Sequence, residues 1–220
     1  TPEAVVNLLT LQWDQARMKM ADVLGDGVYS DIVSDAKKID GLKGVVDDGT
    51  VSTSYAGLVR ASNTWLNAQR DASTSTLTLA AIHTMISNCS VGGHSPTLIL
   101  SRKEQWNRVW TILQTAQQFR IMPVLSDQQI GSAGYTNLYV DNIPMIIDDK
   151  VFDGPNTTNS AILFLNEDYL DLYIANGIDF EMEDFARPIN QDAMTAKLYW
   201  RGNLLCTRPP VQGIMTNISA

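Results

Sequence analysis

The chain has 220 residues, a formal net charge of −8 and a pI near 4.6. Its composition, 45% hydrophobic and 18% charged, is ordinary for a folded domain, and a chain of this length buries a core without disulfides or metals. The acidic balance excludes a protein that wraps nucleic acid, because that function needs a basic surface to displace counterions.

Hydropathy and cysteine content further limit the class of protein. No apolar run approaches about 18 residues, so no segment is predicted to span a membrane, and no signal peptide is visible. Cys89 and Cys206 are far apart in sequence, and two buried free thiols are favoured over a disulfide. Free thiols fit a reducing compartment.

The first predicted element is a long helix. Pro2 suits its first turn, and Gly25 is predicted to end it. At 1.5 Å per residue the helix would run roughly 35 Å, which is long for a domain of this size. Its apolar stripe has spacings of three and four residues: Val5, Leu9, Trp13, Ala16, Met20 and Leu24.

The middle of the chain changes pattern three times. Residues 25 to 75 are rich in Gly, Asp, Ser and Thr and are predicted to form loops with short strands. Helical spacing returns over residues 79 to 89, and residues 97 to 100 are predicted to form a buried strand. Ser101 and Glu104 then match a capping box, which predicts that another helix begins there.

Strand patterns dominate the second half. Residues 138 to 140 and 144 to 147 flank Asp141-Asn142, a pair typical of a hairpin turn. Residues 161 to 165 are predicted to form a third strand, and Asn166 is predicted to cap a short helix that runs to residue 174.

The last long element has the most regular alternation. Residues 196 to 206 place apolar side chains on one face and Lys197, Tyr199 and Arg201 on the other, which predicts a strand of roughly 36 Å. Pro209-Pro210 ends it, and a final short strand follows. The predicted class is therefore α+β, with one long helix, one long hairpin and a compact mixed lobe between them.

Catalytic chemistry is sparse in this sequence. His83 and His94 are the only histidines, and neither has an acidic or nucleophilic neighbour in a pattern typical of a catalytic triad. Cys89 and His94 have a metal-like spacing, but no second pair completes a tetrahedral site. Structural or surface roles are favoured for both histidines.

Acidic residues offer one alternative. Asp26, Asp31 and Asp35 follow the first helix and could serve an acidic metal-dependent hydrolase, although they do not match the spacing of a calcium loop. Solvated turns are the favoured interpretation of these residues, and of Asp47-Asp48 as well.

Two tryptophans are candidates for contacts between subunits. Trp13 lies on the apolar stripe of the first helix, where core or subunit contact is expected. Trp65 lies in a polar, loop-like stretch, and a large aromatic in a loop is a candidate interface anchor.

The order of these elements resembles that of the tailed-bacteriophage major capsid proteins, which share the Hong Kong phage-type capsid fold. The long helix runs into Gly25-Asp26-Gly27, and a strand, a polar cap and a helix with an early Trp106 follow. A segment that begins at Asp141, with Ile143, Pro144 and Met145, leads to a hairpin that ends before Pro209. The resemblance covers nearly the whole chain, and its specificity lies in the ordered set.

The resemblance implies a division into two domains. Residues 1–33 and 177–208 would form a peripheral domain with a spine helix and a long β-hairpin. Residues 34–176 and 209–220 would form a compact axial domain of mixed sheet plus helices, with loops near residues 126–134 and Asn156 to Asn159 at the symmetry axes. The N-terminal arm and extended loop that clasp neighbours in this family would precede Thr1, and they are absent from this chain.

The function implied by the resemblance is structural and not enzymatic. The chain would self-assemble into hexamers and pentamers of an icosahedral virion capsid around double-stranded DNA, after synthesis in the cytoplasm of a bacterial host. An acidic wall suits this role, because it repels packaged DNA. Scaffolding proteins, decoration proteins and a portal are the implied partners, with no cofactor, metal or membrane. The candidate interface residues are Trp65, Trp13, Tyr199, Arg201, Asn156, Asn159 and Asn190.

A second hypothesis within the same fold is an encapsulin-like nanocompartment shell, which would hold cargo proteins in place of DNA. The acidic metal-dependent hydrolase is a third hypothesis, from a different class.

Overall fold

The computed structural model describes residues 2–31, 33, 38–73, 75–115, 138–152, 161–187, 189 and 194–219. Within them lie four helices: α1 (Pro2–Val28), α2 (Leu42–Val45), α3 (Leu79–Cys89) and α4 (Lys103–Thr115). Short 3-10 turns occupy Thr64–Leu66, Glu167–Tyr169 and Pro209–Val211. The strands are β1 (Ser54–Tyr55), β2 (Leu58–Val59), β3 (Gln69–Asp71), β4 (Ser75–Thr76), β5 (Leu98–Ser101), β6 (Leu138–Val140), β7 (Ile143–Ile147), β8 (Ile162–Leu165), β9 (Leu170–Ile174), β10 (Glu181–Met182), β11 (Leu198–Tyr199), β12 (Gly202–Cys206), β13 (Gly213–Met215) and β14 (Ile218–Ser219).

A six-stranded mixed sheet forms the centre, in the order β3-β13-β8-β5-β7-β6. Strand β8 runs antiparallel to both of its neighbours, whereas β5 pairs with β7 in parallel. All four residues of β8 are buried, which explains why its sequence is a continuous apolar run without alternation. The class predicted from the sequence, α+β with a mixed sheet, is confirmed.

Each face of this sheet has its own hydrophobic cluster. Helices α3 and α4 cover one face, where Ile82, Val109 and Phe164 meet. The other face is covered by α2 and the irregular segment that follows it, where Val45 and Leu163 belong to one cluster. The sheet is therefore buried on both sides.

Several local predictions are confirmed. Helix α3 spans residues 79 to 89, and Asp141 and Asn142 turn the β6–β7 hairpin with positive φ angles of 49° and 69°, as a type I′ turn requires. The Asn166 side chain accepts a hydrogen bond from the Asp168 N–H and so caps the following turn. Cys89 and Cys206 are both free and buried.

The predicted end of the first helix is wrong. Helix α1 continues through Gly25 and Gly27 to Val28, because Lys150, distant in sequence, pairs with Asp22 and Asp26 and so holds its last turns. A Cβ on Gly25 would lie 3.1 Å from the Lys150 side chain, and one on Gly27 would lie 3.2 Å from Ile39.

The capping box at Ser101 is wrong as well. Ser101 is the last residue of β5 and pairs with both Ile147 and Ile162, so the sheet fixes its backbone in an extended conformation. Helix α4 begins two residues later, at Lys103.

The helix predicted after Asn166 is mostly a strand. Only one 3-10 turn forms, and β9 then pairs antiparallel with β12, with Leu172 opposite Leu204. The predicted long strand is broken at Trp200-Arg201, so that β11 pairs with β10 and β12 pairs with β9. Cross-strand partners supplied by distant residues override the local preference of these segments.

A tight contact within the core can be tested by mutation. A Cβ on Gly213, in β13, would lie 2.3 Å from the Cys89 Sγ atom, so we expect Gly213→Ala to lower the free energy of unfolding by about 1–3 kcal/mol. Urea denaturation measures this loss. Combining it with Cys89→Ala removes the clashing sulfur, and the double variant should lose less than the sum of the two single losses. Strict additivity would contradict the contact.

Candidate subunit interface

Exposed apolar side chains are concentrated on three parts of the described chain. They lie on helix α1, on the ribbon formed by β9 to β12, and on the segment from β1 to the Thr64–Leu66 turn. Large exposed apolar patches commonly mark contacts with other molecules. The principal members are Leu11, Met18, Val23, Leu58, Val59, Trp65, Leu172, Tyr173, Ile174, Met182, Phe185, Met194 and Tyr199.

Helix α1 lies largely outside the core. Its 27 residues span roughly 40 Å, and Met18 and Val23 are 68% and 57% exposed. Trp13, a predicted interface residue, is half-buried, and its ring meets that of Phe185 edge to face at 6.0 Å. One side of the indole is thus used within the chain, and its role between subunits stays a prediction.

Lys150 fastens the C-terminal part of α1 to the loop after β7. Its ammonium group lies 2.5 Å from the Asp22 carboxylate and 2.6 Å from that of Asp26. These hydrogen bonds raise the pKa of Lys150 and, with its charge, lower the pKa of Asp22. Nearby, the Tyr29 hydroxyl donates a hydrogen bond to the Asp148 carboxylate at 2.7 Å. Burial of the ring, and to a smaller extent this bond, raise the pKa of Tyr29.

Trp65 lies on a short, well-supported projection. Strands β1 and β2 are joined by Ala56 and Gly57, with positive φ angles of 50° and 78°. Leu58 and Val59 are exposed just beyond this turn, and Trp65 follows with 60% of its surface exposed. We call Leu58, Val59 and Trp65 the Trp65 knob.

A buried guanidinium supports the knob. Arg60 is 1% exposed and donates hydrogen bonds to four backbone carbonyls, those of Asp47, Leu66, Gly44 and Val45. Burial lowers the pKa of Arg60. These bonds tie α2 to the residue directly after Trp65, so the indole projects from a fixed base.

Asp47 organises the segment before the knob, and its predicted role as a solvated turn residue is wrong. The carboxylate is fully buried, accepts hydrogen bonds from the N–H groups of Gly49, Val51 and Ser52, and lies 2.6 Å from Arg70. An Asp carboxylate that accepts from the following N–H groups forms a local turn, and the run Asp-Asp-Gly-Thr is a sequence typical of such a turn. Its distant partner Arg70 could not be read from the sequence.

The remaining predicted interface residues divide into two groups. Tyr199 is 43% exposed, and its hydroxyl donates to Glu183 at 3.1 Å, while Arg201 is exposed at the break between β11 and β12. Asn156, Asn159 and Asn190 lie outside the described residues, as does the loop predicted near residues 126–134.

The candidate catalytic and metal-binding residues lie apart from one another. His83 pairs with Asp141 on the surface, whereas the His94 ring is hydrogen-bonded to Tyr169 at 2.8 Å. The interpretation of Asp26 and Asp31 as solvated turn residues is wrong, because Asp26 lies in helix α1 paired with Lys150, and Asp31 is buried 2.7 Å from Lys43. Asp35 is outside the described residues. Within the described ranges, no three His, Cys, Asp or Glu residues are grouped so as to hold a metal ion, and no helix is both long and apolar enough to cross a membrane.

Comparison of sequences finds neither a family model nor a curated protein that matches this chain. Comparison of structures does find relatives. The capsid asymmetric unit of cyanophage A-1(L) matches with a TM-score of 0.64 and 15% identity, over 98% of this chain and 70% of the phage chain. An encapsulin of Synechococcus elongatus, solved as a holo complex, matches with a TM-score of 0.62 and 13% identity, over 93% of this chain and 65% of the encapsulin chain.

The chain has the Hong Kong phage-type capsid fold. The resemblance drawn from the order of sequence elements is therefore confirmed at the level of fold. Both neighbours are structural shell proteins and not enzymes, and this chain spans about two thirds of the length of each. The capsid fold alone does not separate a virus shell from a nanocompartment, since both neighbours have it.

The contact between Lys150 and Asp22 can be tested by measuring the pKa of Asp22. Lys150→Met removes the hydrogen bonds and the charge that lower the pKa of Asp22, so that pKa should rise toward its ordinary value of 3.8. Because the wild-type pKa is lowered, the stabilising contribution of Asp22 is present above pH 3.8 and is lost as the pH falls through the lowered value. NMR titration of the carboxyl carbon in unassembled subunits measures the change.

A matched control is Lys19→Met. Lys19 lies 3.7 Å from Asp22 and contributes less to lowering its pKa, so this variant should give the smaller shift. Equal shifts in the two variants would contradict the assignment of Lys150 as the main partner.

Arg60 makes a prediction about stability. Arg60→Leu removes the guanidinium donor from four backbone carbonyls, of which that of Asp47 keeps the Ala68 N–H, and we expect the free energy of unfolding to fall by about 2–4 kcal/mol. Arg201→Leu, at an exposed position, should change it by less than about 0.5 kcal/mol. Chemical denaturation of unassembled subunits compares the two, and similar losses would refute the supporting role of Arg60.

Proposed function

We propose that this chain is a structural subunit of an icosahedral virus capsid, which self-assembles into hexamers and pentamers around double-stranded DNA. The observation that carries the proposal is a helix of 27 residues, with exposed apolar side chains, that lies largely outside the core of a chain with the capsid fold. A helix in that position needs neighbouring molecules to cover its apolar surface.

Closed symmetry makes such coverage effective. Each contact recurs around every symmetry axis, so a shell is stabilised by many copies of contacts that are individually weak. The net charge of −8 suits the inner wall, because acidic groups repel DNA phosphates and leave the contents mobile. No catalytic role is proposed.

The division into domains is part of this proposal. Residues 1–33 and 177–208 would form the peripheral domain, and residues 34–176 and 209–220 the axial domain. Both hydrophobic clusters draw mainly on the second set, which supports a compact axial unit. Strand β9 lies before residue 177 and pairs with β12, so we expect this part of the axial range to move with the peripheral hairpin.

The proposed location and partners follow from the same role. We expect the subunit to be made in the cytoplasm of a bacterial host and to end in the virion. Scaffolding proteins, decoration proteins and a portal are the expected partners besides other copies of the chain. Trp13, Tyr199, Arg201, Asn156, Asn159 and Asn190 stay candidate contacts between copies.

An encapsulin-like nanocompartment is the second candidate, favoured by the encapsulin among the structural neighbours. The two functions differ in contents, since a nanocompartment holds cargo proteins and a capsid holds DNA. Nuclease-treated particles separate the candidates: protected double-stranded DNA supports the capsid, and stoichiometric co-purified protein without DNA supports the nanocompartment.

Electron microscopy of the full-length protein, expressed with and without neighbouring structural genes, tests both shell functions. Closed particles with fivefold and sixfold clusters are expected. A product that stays strictly monomeric under all of these conditions would rule out a shell.

A substitution at Trp65 should affect assembly and folding to different extents. Because the indole is 60% exposed, Trp65→Ala should change the free energy of unfolding of the unassembled subunit by less than about 0.5 kcal/mol. Assembly should fall much further, because exposed aromatic anchors contribute strongly to interfaces. Light scattering and denaturation measure the two effects, and Trp65→Phe should lie between wild type and Trp65→Ala. Equal losses of assembly and stability would argue against an interface role.

A further inference from the structure

A groove lies between the end of helix α1 and the break in the ribbon strands at Trp200-Arg201. It is open to solvent and has a volume of about 600 Å³. Pockets of roughly 300–1,000 Å³ take ligands of drug size, and one tryptophan with a flanking aliphatic side chain is comparable to such a ligand. The groove is lined by Met20, Val23, Leu24, Asp26, Gly27, Lys38, Ile39, Trp200, Arg201 and Gly202.

The groove is apolar inside and positively charged at its rim. Met20, Leu24 and Ile39 contribute aliphatic surface, and most of Val23, at 57% exposure, is open to solvent. Lys38 and Arg201 are exposed among the lining residues.

The acidic member of the lining set does not cancel that charge. Asp26 is already paired with Lys150 at 2.6 Å. Lys150 also pairs with Asp22, but Lys19 lies 3.7 Å from Asp22, so two ammonium groups balance the two carboxylates. Lys38 and Arg201 therefore set the sign of the charge at the rim.

The Trp65 knob has the complementary character. Residues 48 to 67 contain two charged side chains, Asp48 and Arg60. Leu58, Val59 and Trp65 form an exposed apolar patch on this otherwise polar segment. One Arg60 nitrogen binds the carbonyls of both Asp47 and Leu66, so the exposed Asp48 lies beside the base of the knob. Trp65 is not among the residues that line the groove of its own chain.

We propose that the Trp65 knob of one copy inserts into this groove of a neighbouring copy. The inference rests on the proposed shell function, which supplies the neighbour, and it names the receptor for Trp65. An apolar projection would fill an apolar recess, and Asp48 would approach the rim formed by Lys38 and Arg201. Because the knob and groove are different surfaces, the contact joins copies head to tail, and such contacts form rings where the rotation between copies closes.

The test places one cysteine on each side of the contact. In the variant Val59→Cys with Val23→Cys, which keeps the Trp65 indole, a short bismaleimide should link the knob of one copy to the groove of the next and give a ladder on a denaturing gel. The native thiols are poor competitors, because burial raises the pKa of Cys89 to about 12 and that of Cys206 to about 11.

The matched control moves only the groove cysteine. Met18 also lies on α1 and is 68% exposed, but it does not line the groove. Val59→Cys with Met18→Cys should therefore give about tenfold less ladder, since its thiols are not held close together. Adding Arg201→Glu to the Val23 pair should slow cross-linking several-fold, because a carboxylate would then face Asp48.

The outcomes distinguish this contact from the proposed function. Particles that form without a ladder, or equal ladders from the Val23 and Met18 pairs, would overturn the contact and leave the shell intact. A Val23-specific ladder without particles would support the contact and count against a shell. An unchanged rate with Arg201→Glu would overturn the docking of this knob against the basic rim. If neither particles nor ladder form, both proposals fail.

Discussion

Strand β8 is buried along its whole length, and the rest of the fold follows from the need to cover it on both sides. Four consecutive buried residues point alternately to the two faces of the central sheet, so neither face can remain in water. Helices α3 and α4 cover one face with regular apolar stripes. The other face is covered by one turn of helix and an irregular segment, which cannot satisfy its own backbone groups by secondary structure alone.

Buried polar groups solve that problem. Arg60 donates to four carbonyls, while the Asp47 carboxylate accepts from three N–H groups and from Arg70. A loop with its hydrogen bonds satisfied in this way can lie against an apolar sheet and still present Trp65 to solvent. The same residues that complete the core thus support the candidate interface.

The extended elements follow a different logic. Helix α1 and the β10–β11 ribbon contribute little to either cluster, and much of their apolar surface is exposed in the single chain. In the β9–β12 ribbon, Cys206 belongs to the second cluster, but Leu172, Tyr173 and Ile174 are exposed. Two-stranded ribbons are marginally stable in water unless something packs against them. If the proposed shell forms, neighbouring copies would cover these parts, whereas within the chain Lys150 joins helix α1 to the loop after β7.

The sequence by itself determined the elements whose signals are local. The period of α3, the Asp141-Asn142 turn, the Asn166 cap and the order of elements typical of the capsid fold all depend on residues close together in the chain. Tertiary structure alone decided the features that depend on distant partners. Gly25 continues a helix because Lys150 packs on it, Ser101 extends a strand because Ile147 and Ile162 pair with it, and residues 170–174 become a strand because β12 lies beside them. The groove between α1 and Trp200 belongs to this second group, because its walls lie about 180 residues apart in the chain and meet only after folding.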